Sequence, residues 1–252
     1  MLFSMENKIV VVTGGASGVG LACARRLSTV GAQVAILDLM ADRPACLDDE
    51  WLYHPVDVSE SDDLKRAFET ISQALGSIDI LINNAGINGE DGKFLTESDD
   101  ALTRKVFKVN MFGVLNGLKH APQFMSDNGA IVNTSSLGGS YVFPGSGPYS
   151  ASKAAVNSLT QMAAAELSPR QIRVNAVAPG FIRTPLAQEG INLFDAIGAR
   201  MTHAGEIADP EEVAAVVHFL ASDDARYVNG QIIAVDSGMS SGMTLAELES
   251  LQ

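Results

Sequence analysis

Tyr149 and Lys153 stand four residues apart in the run YSASK. If the segment is helical, that spacing places both side chains on one face, within reach of a single bound molecule. The combination suits proton transfer. A phenol ordinarily titrates near 10 and must fall by about three units to serve as a base near neutrality, which requires about 4 kcal/mol of differential stabilisation of the phenolate. A cation about 4 Å away supplies about that much at an effective dielectric of 20. Tyrosine and lysine at this spacing are also common on solvated helices, so their neighbours decide the matter. Ser135 and Ser136 end the β-branched run AIVNTSS, and the carboxyl ends of strands in an open parallel sheet are where ligands bind. A serine hydroxyl there can polarise a carbonyl oxygen while the tyrosine delivers a proton.

A second group of residues suits a dinucleotide. TGGASGVG, Thr13 to Gly20, lies between an apolar run and a helical pattern, where backbone amides and a positive helix terminus meet an incoming anion such as pyrophosphate. Glycine at 14, 18 and 20 permits a tight turn, close approach to phosphate and close helix packing. The spacing differs from GxGxxG, and glycines of this kind also occur simply as turn residues. Asp38 follows Gly20 by 18 residues at the end of the next apolar run. A carboxylate there hydrogen-bonds an adenosine ribose and repels a 2′-phosphate, which favours NAD over NADP. Gly15, Ala16 and Leu39 are neutral and Arg43 lies further on, so no phosphate reader is evident. The competing role for Asp38 is to cap the loop that follows it. An oxidised nicotinamide would bring a second positive charge to the phenol.

These residues need a scaffold that lines up strand ends. Short apolar runs alternate with helical patterns from KIVVVT through AQVAILD, WLYHPVDV, IDILINNAG, AIVNTSS, IRVNAVAPG and QIIAVD, which makes seven strands. Helices are predicted at about 61–75, 99–119, from about Tyr149, and at 210–221. Continuous rather than alternating apolar strands imply a sheet covered on both faces, and strand–helix alternation implies parallel pairing through right-handed crossovers. The expected fold class is therefore α/β: a single-domain, Rossmann-type doubly wound sheet spanning 1–252. The one long irregular interval, 183–209, is a candidate substrate lid.

Composition narrows the function classes. With 46% hydrophobic and 19% charged residues over 252 positions, the chain is an ordinary globular one, able to bury about 70% of its unfolded surface. A formal charge of −13 disfavours nucleic acid and anionic lipid surfaces. Cys23 and Cys46 are too few for a disulfide framework and fit a reducing cytoplasm. His54, His120, His203 and His218 are scattered without metal-ligand spacing, so no metal is expected. No run is long and apolar enough to span a bilayer.

Taken together, the motifs resemble those of the short-chain dehydrogenases/reductases over nearly the whole chain, from Lys8 to about Gly238. TGGASGVG resembles the family's cofactor loop, Asp57-Val58 its adenine contact, Asn83-Asn84-Ala85-Gly86 its central-strand motif, and Asn110 its helix asparagine. Ser136, 13 residues before Tyr149, matches the catalytic serine, and Pro179-Gly180 with Thr184 the nicotinamide-side segment. DSG at 236–238 departs from the family's usual aspartate-glycine-glycine and puts only that turn in question.

The resemblance implies that Tyr149 is the general acid/base, that Ser136 binds the substrate oxygen, and that Lys153 lowers the tyrosine pKa while holding the nicotinamide ribose. It implies that Asn110 steadies a water in the proton relay; without the family, Asn110 reads as a structural helix residue. It also implies that Gly14, Ser17, Gly18, Val19 and Gly20, then Asp38, Leu39, Asp57 and Val58, hold the pyrophosphate and adenosine. Asn84, Ala85 and Gly86 line the ribose path, and Pro179, Gly180, Ile182 and Thr184 face the nicotinamide. A homo-oligomer, dimer or tetramer, is implied as well.

Leu137, Gly138, Gly139, Tyr141, Val142, Phe143 and Phe181, with Leu186, Ile191, Leu193, Phe194 and Met201 from the lid, could wall a substrate pocket or equally be core. So apolar a wall around one serine suits a compact, uncharged secondary alcohol or ketone. The expected activity is NAD-dependent interconversion of the two. The alternatives are a non-catalytic NAD-binding sensor or scaffold and a 3-oxoacyl thioester reductase. For the last, the chain's negative charge would repel an acidic carrier unless Lys105, Lys108 and Lys119 build a basic patch.

Overall fold

The computed structural model describes residues 2–89, 92–187, 195, 196, 198 and 200–249. Seven strands, β1 (Ile9–Thr13), β2 (Gln33–Asp38), β3 (Leu52–Pro55), β4 (Ile78–Asn83), β5 (Met125–Thr134), β6 (Arg173–Pro179) and β7 (Ile232–Val235), form one parallel sheet in the order β3-β2-β1-β4-β5-β6-β7. All five residues of β1 are buried because the pleat sends alternate side chains to opposite faces and both faces are covered. Val10, Val12, Ile36 and Val132 pack under α1 (Gly18–Thr29) and α6 (Pro210–Ala221). Val11, Leu37, Leu81 and Ile131 pack under α2 (Ser61–Leu75), α4 (Gly113–His120) and α5 (Gly147–Glu166). This is the doubly wound sheet expected from the pattern of runs. No helix among the described residues is long and apolar enough to cross a membrane.

Local chemistry sets the helix limits. In α2, Asp62 and Asp63 occupy the positive first turn and Gly76, at φ +112, ends it. Cys23 is buried in α1, and burial pushes its thiol up to about 12, so it serves as a small apolar side chain.

Two elements depart from the expected limits. The helix predicted over 99–119 is α3 (Asp100–Phe107), then a π turn (Lys108–Phe112), then α4. Such turns occur frequently at functional sites. β5 begins at Met125 rather than Ala130, with a register shift against β4; Ser126, Asp127, Asn128 and Gly129 look like a turn, and Asn128 does take a left-handed φ of +63.

Register brings the functional ends together. Thr13 pairs with Leu37 and Asn83, Asn83 with Asn133, and Thr134 with Val177, so the carboxyl ends of β1, β2, β4, β5 and β6 meet on one edge. The sheet order reverses between β1 and β4, the place where such sheets bind ligands. A buried amide chain sets α5 on the sheet: Asn83 Nδ2 donates to Asn133 Oδ1 at 2.9 Å, and Asn133 Nδ2 to Thr160 Oγ1 at 2.9 Å.

Candidate active site

A cavity of about 1020 Å³ runs along these strand ends. Its first wall is the glycine loop, where Gly14 and Gly18 take left-handed φ of +62 and +50. A Cβ on Gly14 would lie 2.7 Å from Ala85 Cα, so the loop rests on the segment after β4. Asn84 ties the two by donating from Nδ2 to the Gly14 carbonyl at 3.0 Å. α1 then starts with neither a side-chain cap nor an acidic residue in its first turn, and Ser17, Gly18 and Val19 line the cavity. Orphan N–H donors and the positive helix end thus face the cavity, the setting in which a pyrophosphate is held.

Gly20 is not on that wall. A Cβ there would meet the Gly14 carbonyl oxygen at 2.2 Å and Asn84 Nδ2 at 2.6 Å, so glycine is needed for packing the helix on the loop. Gly20→Ala is expected to lower folding stability by about 2 kcal/mol or more, read by chemical denaturation. A variant as stable as the wild type would show that the loop can give way.

Asp38 ends β2 on the cavity, with Leu39, Asp57 and Val58 beside it. Its Oδ2 accepts from the Ala16 amide at 3.0 Å and its Oδ1 from the Leu39 amide at 2.8 Å. The loop-capping role is therefore present, and each oxygen keeps acceptor capacity for a ribose hydroxyl. Negative charge gathers here: burial raises the Tyr53 phenol, and Asp38 and Asp42 raise it further. Arg43 is occupied by the carbonyls of Trp51 and Asp48. Lys108, also on the cavity, is paired with Glu60 at 2.6 Å.

Ser136, Tyr149 and Lys153 converge from two elements. Ser136 caps a single turn, Leu137–Gly139, and its Oγ accepts from the Gly138 amide at 3.1 Å, leaving the hydroxyl hydrogen to donate elsewhere. Tyr149 stands in the first turn of α5 and Lys153 one turn on, 3% exposed, with Nζ 5.8 Å from the tyrosine ring centroid. Nζ donates to the Thr134 carbonyl at 2.8 Å, and burial lowers the ammonium from 10.5 to about 8. The ammonium so placed beside the ring favours the phenolate, and only while the lysine keeps its proton.

Asn110 is fully buried in the π turn. Its Oδ1 accepts from the Ile87 amide at 2.8 Å, and its Nδ2 donates to the Ile87 carbonyl at 2.9 Å and to Ser152 Oγ at 3.1 Å. Both amide hydrogens are thus committed to clamping the loop after β4 onto α5, so a relay water would have to be held by another atom of this residue. Gly86 lies between the clamp and the lysine: a Cβ on it would be 3.3 Å from Asn110 Oδ1 and 3.5 Å from Lys153 Nζ.

Pro179, Gly180, Ile182 and Thr184 form the wall that follows β6, and Leu137, Gly138, Phe143, Phe181 and Leu186 line the adjoining end. Phe143 meets Phe181 edge to face at 5.9 Å. Val142 is a correction: it is 85% exposed and off the cavity, because its neighbour Phe143 turns inward onto Phe181 and sends it outward. Gly139 and Tyr141 are also off the cavity. Ile191, Leu193 and Phe194 lie outside the described residues. The ends of the 183–209 interval are joined, Ile182 bridging to Ala208 and Arg183 pairing with Asp209 at 2.7 Å. Unforeseen wall residues include Ile87, Asn88, Pro144, Gly145 and Ser146; these five flank the NNAG and YSASK motifs, which was the available signal for them.

A family model described as enoyl-(acyl carrier protein) reductase matches residues 14–240. The chain is 41% identical over 243 residues to cis-4-hydroxycyclohexanecarboxylate dehydrogenase of Sinomonas cyclohexanicum, covering 93% of this chain and 97% of the relative. It is 38% identical over 244 residues to 3-oxoacyl-acyl-carrier-protein reductase FabG of Thermotoga maritima, covering 93% and 98%. Among solved structures, levodione reductase superposes with a TM-score of 0.85 at 31% identity, covering 94% of this chain and 99% of that one.

Proposed function

The chain belongs to the short-chain dehydrogenase/reductase family of oxidoreductases, whose members use a nicotinamide dinucleotide, and on that footing we propose that it oxidises an uncharged cyclic secondary alcohol with NAD⁺. The observation that carries this reading is the convergence of Ser136, Tyr149 and Lys153 on the cavity that an uncapped helix start and Asp38 also face. Ser136 donates its hydroxyl hydrogen to the substrate oxygen and holds it beside Tyr149. The phenolate form of Tyr149 takes the carbinol proton, and the Lys153 charge favours that form. The bound nicotinamide supplies the hydride acceptor. Ketone reduction is the same path reversed, with Tyr149 giving up its proton.

The substrate class follows from the lining. Leu137, Phe143, Phe181 and Leu186 present apolar and aromatic surface, which suits a compact uncharged ring; a relative named for borneol acts on such an alcohol, and the one named for hydroxycyclohexanecarboxylate on a ring alcohol that also carries a carboxylate. Reduction of a carrier-bound thioester has the FabG relative in its favour. Against it, the −13 charge repels an acidic carrier, and Glu60 neutralises Lys108. A sensor that never turns over would have no need of all three reactive side chains. Purified protein given NAD⁺ and a panel of cyclic and aromatic secondary alcohols, followed at the NADH absorbance band, separates these readings; activity only on 3-oxoacyl thioesters favours the reductase.

Asp38 carries the cofactor choice. Asp38→Arg is expected to reverse the ratio of kcat/KM for NAD⁺ over NADP⁺, and Asp38→Ala to lower it by about tenfold or more, because each pKa-scale unit of charge interaction, about 1.4 kcal/mol, is a tenfold change. An unchanged ratio in both variants would leave Asp38 as a loop cap only.

A further inference from the structure

We propose that Asn157 is a positioning residue that sets the distance between Ser136 and Tyr149. The inference rests on the reading of Ser136 as the group that holds the substrate oxygen. Tyr149, Lys153 and Asn157 are spaced i, i+4, i+8 on α5 and share a face. Ser136 comes from elsewhere, after β5, and α5 must be tied to that strand end if the two reactive oxygens are to keep a fixed separation.

Asn157 makes that tie on both sides of Ser136. On the strand side, the buried Ser135 hydroxyl donates to Asn157 Oδ1 at 2.6 Å, with the Lys153 carbonyl 3.1 Å away as a second acceptor. On the turn side, Asn157 Nδ2 donates to the Gly139 carbonyl at 3.4 Å and to Ser140 Oγ at 3.3 Å. Gly139 lies flat against the helix, since a Cβ on it would be 2.9 Å from the carbonyl carbon of Lys153. One amide thus spans the short turn whose Gly138 N–H orients Ser136 Oγ. The strand side has a further anchor, the Ser135 amide to the Val177 carbonyl at 2.8 Å, so loss of Asn157 is felt chiefly in the turn.

Asn157→Ala suits a helix interior and should fold. In that variant kcat is expected to fall about 10- to 100-fold, the cost of a small misplacement of a reacting group. The NAD⁺ dissociation constant and the inflection of the pH–rate profile should stay where they are, because the glycine loop and Lys153 are untouched. In a Ser136→Ala background the same change is expected to cost less than about twofold, since Asn157 acts through Ser136; an equal loss in both backgrounds overturns the proposal. Amide hydrogen exchange provides a test independent of turnover: residues 137–141 should exchange faster in Asn157→Ala while α5 is unchanged. Unaltered exchange there overturns the proposal. A wild-type protein inactive on every alcohol, with the exchange change present, overturns instead the reading of the site as one for alcohol oxidation.

Discussion

Tyr149→Phe is expected to bind NAD⁺ as tightly as the wild type and to form NADH about 10³-fold more slowly. The substitution keeps the ring that Lys153 faces and removes only the oxygen that exchanges the proton. Positioned acid/base groups contribute about 10²- to 10⁴-fold, and the neutral Ser136 hydroxyl, far less basic than a phenolate, does not substitute as base. Equilibrium binding measured beside turnover separates the two effects. Rapid NADH formation by the variant would mean that another group moves the proton.

Lys153→Met is expected to change stability and activity in opposite directions. The folded-state value of about 8 lies below the ordinary 10.5 because burial penalises the charged form. The unfolded chain therefore holds the extra proton between those values, and stability rises as pH climbs from about 8 to 10.5. Below pH 8 the whole penalty is present, on the order of 3 kcal/mol. Methionine removes the charge but also the donor to the Thr134 carbonyl, worth about 1 kcal/mol. The net expectation at pH 7 is a cofactor-free protein more stable by about 2 kcal/mol, about 4–8 °C in Tm for a chain of this size, with the gain fading as pH climbs from about 8 to 10.5. Turnover should fall by about 10²-fold or more. A Tm lowered at pH 7 would mean that the ammonium is a structural hydrogen-bond donor rather than a charge held at a cost for chemistry.

How much of this was legible beforehand varied with the range of the interaction. The strands and helices α2 and α6 follow from local apolar period and termini: Asp62, Asp63 and Gly76 mark α2, and Pro210 opens α6. The edge where Gly14, Asp38 and Ser136 gather was equally accessible, because parallel strands with crossover helices bring their carboxyl ends to one side. The π turn was not. Lys108–Phe112 has the same helical periodicity as its flanks, and only the clamp from Asn110 to Ile87 across the chain distinguishes it. Val142 lies in the YVF run between Tyr141 and Phe143, and nothing in a loop's composition says which neighbour turns inward. The burial of Lys153 beneath Thr134 is a long-range result as well; on a helix in isolation that side chain would be solvated. Asn157 did carry a local signal, the i+8 spacing from Tyr149, but its partners Ser135 and Gly139 become visible only once β5 is laid against α5.

Hydride transfer coupled to Tyr149 is tested most directly by supplying NAD⁺ and a cyclic secondary alcohol deuterated at the carbinol carbon, then analysing the nicotinamide by mass spectrometry and NMR. One deuterium at the reduced ring position, delivered by the wild type and about 10³-fold more slowly by Tyr149→Phe, is the expected result. Tight NAD⁺ binding with no deuterium transferred from any alcohol of the panel would contradict it.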